Sequence, residues 1–177
     1  MQFKIRHLFP AFAVASIVIS CLASPAGAWS NAEEGAVSIH ATSPYSGSVA
    51  EVQVDSAGNI YACGWFRSKT GSYDVDPNPA ATRLVNTKGL HSSVVSKYNP
   101  SGNLLWYLVV ESDDNDDRIS DCALNAAGTH LAISGTFEGT MDFPGGSSIA
   151  SAGGIDAYVA LIATDTSTGT TAPSGVL

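Results

Sequence analysis

The sequence predicts an all-β protein made of two similar four-stranded units in tandem, and three observations carry that prediction. Apolar residues sit in short runs broken by Gly, Asn, Asp, Ser and Pro, the texture of strands joined by tight turns. No 3.6-residue apolar period accompanies them, which argues against helices. Finally, VDSAGNIYACGWF at 54–66 returns about seventy residues later as LNAAGTHLAISGTF at 124–137. Small domains repeat a strand pattern when one copy cannot bury its own faces.

Residues 1–28 read as targeting. MQFKIRH supplies Lys4 and Arg6, LFPAFAVASIVIS is apolar but short for a membrane span, and Ala26-Gly27-Ala28 is an A-x-A-like cleavage site. VISC at 18–21 offers an alternative in which Cys21 is lipidated, as in the lipobox of bacterial lipoproteins, and anchors the protein to the outer membrane. On either reading the protein is exported, to the periplasm, the cell surface or the medium, and is free of the membrane unless Cys21 carries lipid. The 177 residues carry 8 bases and 16 acids; cleavage after Ala28 removes two bases and leaves a net charge of −10. No Lys/Arg cluster exists, which excludes a nucleic-acid-binding role.

Residues 29–49 form an N-terminal segment with one strand-like run, GAVSIHAT at 35–42. The first unit, 50–111, opens with EVQVDSAG, whose Gly closes a small-residue turn. It continues through NIYACGWF, the acidic loop GSYDVDP, the run HSSVVSKYNPSGN and a fourth strand, NLLWYLVV. The second unit, 112–163, follows in the same order with DCALNAAG, THLAISGTF, GTMDFPG and IDAYVALIATDTSTG. In it Gly135 stands opposite Gly64 and Phe137 opposite Phe66, but nothing matches NLLWYLVV, and 164–177 read as a flexible tail. Four strands per unit at this period point to propeller-type blades. A tandem sandwich is the alternative.

Together VDSAGNIYACGWF, YDVDPNP and VVSKYNPSGNLLW resemble the bacterial β-propeller repeat family, whose units carry D-x-x-G-N-x-Y, a D-P loop and V-x-K-x-x-x-x-G-N-x-x-W. The likeness covers roughly 50–163 and weakens in the second unit, where Thr129 replaces the Asn at 59. It implies an extracellular or surface protein with a structural or binding role and no shared catalytic machinery. Two blades do not close a propeller, which needs about four to eight. Either chains join head to tail as a homo-oligomer, the 35–42 strand of one completing the last blade of the next, or the chain is part of a longer propeller.

Export leaves Cys63 and Cys122 in an oxidising setting, as an inter-blade disulfide or as two buried thiols. Asp113, Asn115 and Asp117 alternate within ESDDNDDRISD as Ca²⁺ ligands do, but Arg118 stands where such a loop needs Gly. Asp74 and Asp76 share that spacing, and a solvated acidic turn is the simpler account of both loops. His40, His91 and His130 are isolated, and no nucleophile or zinc motif is present, so no catalytic residue is assigned. Trp65, Trp106, Tyr61, Tyr73, Tyr98 and Tyr107 either pack between blades or form a sugar-binding platform. Trp65, opposite Thr136, is the one expected to face a ligand. The functional expectation is a non-catalytic binding or scaffold module for glycans or proteins, with a carbohydrate-active hydrolase or lyase using loop carboxylates as the alternative.

Overall fold

A computed structural model describes residues 40–41, 46–67, 72–78, 83–86, 90–112, 116–143 and 147–164. These residues are all-β. The strands are β1 (His40–Ala41), β2 (Ser46–Val54), β3 (Ile60–Arg67), β4 (Ser72–Asp74), β5 (Leu84–Asn86) and β6 (His91–Tyr98). They continue as β7 (Leu104–Ser112), β8 (Arg118–Leu124), β9 (His130–Phe137), β10 (Thr140–Asp142), β11 (Ser148–Ala150) and β12 (Asp156–Ala163).

Every named pairing is antiparallel. β2, β3, β6 and β7 form a four-stranded meander, and β8, β9 and β12 form its three-stranded counterpart. Each unit inserts a short hairpin between its second and third long strands, β4–β5 in the first and β10–β11 in the second. The acidic loops read as irregular are thus strand-forming over three residues a side. The two hairpins dock alike. Glu111 and Ser112 at the end of β7 pair with Asp142 and Met141 of β10. His40 and Ala41 of β1 pair with Asp74 and Tyr73 of β4. Through β10 and β11 the first unit's sheet extends to six strands, a link between the units that the sequence reading did not anticipate, while the second unit has three long strands, without a counterpart of NLLWYLVV among the described residues.

The repeated glycines have a common cause. The register slips between Val49 and Glu51 on β2, and between Ile119 and Asp121 on β8, leaving a one-residue bulge in each. Gly64 lies opposite Val49, and Gly135 opposite Ile119. A Cβ on Gly64 would run into the Ser48 carbonyl, and one on Gly135 into the Arg118 carbonyl. Because a bulge breaks the period-2 pattern, the sequence reading starts the first strand late. Residues 46–49, assigned there to the N-terminal segment, belong to β2.

Counting from these glycines aligns the units strand by strand and shows that their faces alternate regularly. Tyr61, Cys63, Val95, Trp106, Leu108 and Val110 lie on the forward face of the first unit. They share one core with the rear face of the second, including Ile119, Cys122, Leu131, Ile133, Phe137 and Tyr158. On the first unit's own rear face, Phe66 and Val94 join Tyr73, Val75 and Val85 of the inserted hairpin region in a smaller cluster. Phe66 stacks on Tyr73 with ring centroids 4.2 Å apart.

Candidate functional site

The residues that carry the repeat motif converge on one corner of the first unit. In the turn DSAGN, Gly58 adopts φ 79° and donates to the Asp55 carbonyl, while Asp55 Oδ1 accepts the amides of Ala57 and Asn59. Asp55 Oδ2 accepts the Asn59 side chain at 2.9 Å and the Tyr61 hydroxyl at 3.3 Å, with Lys97 Nζ 3.8 Å away. Lys97 in turn lies over the Tyr61 ring, and Tyr61 meets Trp106 edge to face. Desolvation opposes ionisation of Asp55. The Asn59 side chain, the amides of Asn59 and Ala57 and the Lys97 charge outweigh it and hold the carboxyl below its ordinary range.

NPSGN repeats the device with Asn99 Oδ1 accepting from Ser101 and Asn103, and NAAGT with Asn125 Oδ1 accepting from Thr129 and His130. The second unit lacks the charged part of the network, since Ala132 and Leu161 stand where the first has Tyr61 and Lys97. The motif is a turn lock.

Asp74 Oδ1 accepts the amides of Asp76 and Arg83, and Asp76 Oδ1 accepts that of Asn78. These carboxylates shape their own loop. In the second acidic run, Asp113 and Asn115 lie outside the described residues, as does Cys21. Asp117 is buried, with Oδ2 2.6 Å from the Ser112 amide and both oxygens within reach of the Ser112 hydroxyl. Among the described residues, no three His, Cys, Asp or Glu converge as metal ligands do.

A second corner forms where the two units meet. His91 Nδ1 lies 2.8 Å from Asp116 Oδ1, and Arg118 Nη2 lies 2.9 Å from the same oxygen. The Arg118 guanidinium lies 5.2 Å over the Trp65 ring, which also approaches His91 edge to face. Trp65 is therefore half-buried in the junction, with Arg118 on its face, and is no bare platform. Tyr61, Tyr73, Tyr98 and Trp106 are buried outright. The sequence reading missed Asp116 and Arg118 as partners of His91. The signal available was Arg118 itself, the single cation in an acidic run. The junction is also where the structure joins Cys63 of β3 to Cys122 of β8 in a disulfide.

No family model, curated protein or solved structure matches the chain.

Proposed function

We propose that the protein is an exported, non-catalytic scaffold module of two propeller-type blades that engages protein partners through its sheet faces. The observation that supports this most is the turn lock. Asp55, Asn59, Tyr61, Lys97 and Trp106, the motif positions shared with the propeller-repeat family, contact one another in the first unit. Residues repeated for such a purpose specify architecture, and function falls to what the architecture exposes. The loop carboxylates that a hydrolase or lyase would use bind backbone amides of their own loops.

The test has two parts. Mass spectrometry of protein expressed with its leader should show a chain beginning at Trp29; a lipidated Cys21 would place it on the outer membrane instead. The mature chain, incubated with a polysaccharide panel, should release no product. Product release abolished by Asp74→Asn or Asp76→Asn would replace the scaffold reading with the enzymatic one, and saturable binding on a glycan array would move the partner class to glycans.

A further inference from the structure

The two ends of the described fold are unlike in sequence and complementary in exposure. On the rear face of the first unit, β2 presents Val49, Val52 and Val54, all exposed. Their positional equivalents in the second unit are Ile119, Cys122 and Leu124, because each stands opposite the same step before Gly64 or Gly135. Ile119 and Cys122 are buried and Leu124 packs against the same core, beneath the forward face of the first unit. The contrast is sharp at one position, where Val52 is 48% exposed and Cys122 is 3% exposed.

The forward faces show the mirror of this. Val95 pairs with Cys63, the residue before Gly64, and is fully buried at 0%. Val159 pairs with Ser134, the residue before Gly135, and is 81% exposed. So the surface that one unit buries by leaning on the next is left open twice, once of each kind. The small hairpin sheets repeat the asymmetry. β7 ends by pairing with β10 of the following unit, and β1 makes the same two-residue pairing with β4. In that frame β1 holds the place against β4 that the end of β7 holds against β10, and among the described residues β12 pairs with β9 alone.

We infer that the partner for both surfaces is a second copy of this chain, its second unit packed behind the first unit of its neighbour so that the internal junction is reproduced between chains. This goes beyond the scaffold role and rests on the repeat geometry alone, not on any external partner. In the reproduced junction Val159 of one copy covers Val52 of the next, as the equivalent Val95 and Cys122 share one core within the chain. A closed ring of roughly four to eight blades would take about two to four chains. The acidic net charge opposes association at long range, so self-assembly should strengthen with salt.

The equivalences also specify a covalent test. Within the chain, Cys63 on a forward face bonds Cys122 on a rear face. Ser134 occupies the position of Cys63, and Val52 that of Cys122. Mature Ser134→Cys and Val52→Cys variants should therefore stay single when oxidised alone and form a covalent dimer when mixed. The S134C/V52C double variant should give a ladder of oligomers on a non-reducing gel. Light scattering of the unmodified chain should show association that Val159→Lys abolishes while the thermal midpoint holds. Folded chains that remain monomeric, with no cross-link in the mixture, would overturn the inference. So would efficient dimers of either single variant, which indicate a two-fold contact instead. A monomer that still binds a protein partner would leave the scaffold role standing without self-assembly.

Discussion

Gly64 and Gly135 are the residues on which the two units most depend. Each sits opposite a bulge that pushes a backbone carbonyl into the space a methyl group would need, and backbone yields less readily than a side chain. Gly64→Ala and Gly135→Ala should each cost about 3 kcal/mol, read as a lower urea midpoint with an unchanged slope. The titratable residues give opposite pH signatures. Asp55 has its pKa lowered by folding, so its contribution is present above the unfolded value of about 3.9 and drains away as pH falls through the folded one. Asp55→Asn should flatten the acid limb of the stability profile. Tyr98 behaves oppositely. Burial pushes its phenol up to about 12, against a hydrogen bond with Ser96 and with the charges of Asp76 and Asp74 adding to the rise. Its hydroxyl donates to the Val75 carbonyl at 3.0 Å. That stabilisation is complete below the unfolded value of about 10 and is lost as pH rises through the folded one. Tyr98→Phe should flatten the alkaline limb, and phenolate absorbance should show its titration delayed until unfolding. Tyr158 shifts in the same direction, raised by burial, with the charge of Asp117 adding to the rise.

At the scale of elements, the turns and the cystine divide the labour. The Asx-type turns at 55–59, 99–103 and 125–129 set hairpin register locally, each with a positive-φ glycine at Gly58, Gly102 or Gly128. They were legible in the sequence because their information is contained in five consecutive residues. The disulfide ties β3 to β8 across 59 residues and so joins the units to each other. Closing a loop of that size stabilises by about 4 kcal/mol in the chain-entropy model. A Cys63→Ala/Cys122→Ala variant should lose stability of that order, measured by chemical denaturation, and more of it should appear as faster unfolding if the junction forms late. The short hairpins β4–β5 and β10–β11 escaped the sequence reading. Three residues a side is too little for alternation to show, and β10 is a strand partly because the end of β7 is there to pair with it.

Over the whole molecule, the forward face of the first unit and the rear face of the second make one core, so neither unit is buried without the other. Unfolding should be a single transition, with tryptophan fluorescence and far-ultraviolet circular dichroism coinciding. Separate transitions would mean that the units fold independently and that the cystine is their main tie. The junction corner of Trp65, His91, Asp116 and Arg118 belongs to this scale too. Its members come from β3, β6, the approach to β8 and the start of β8 itself, and no spacing in the chain announces that His91 will meet Asp116. Sequence reasoning treated Trp65 as a surface for a ligand because its counterpart is Thr136. The difference between the two positions is instead that Trp65 faces a neighbouring unit, while Thr136 lies on the open forward face of the second.

By itself the sequence determined the strand class, the Asx-type turns and the glycines that sit in them. All of these follow from short-range sterics and from alternation along a strand. Tertiary structure alone decided which face of each strand meets a neighbour, because that depends on where a bulge shifts the register and on which unit stands beyond it. Val95 and Val159 are the same residue at equivalent positions of the two units; one is buried and the other exposed, and the neighbour accounts for the difference.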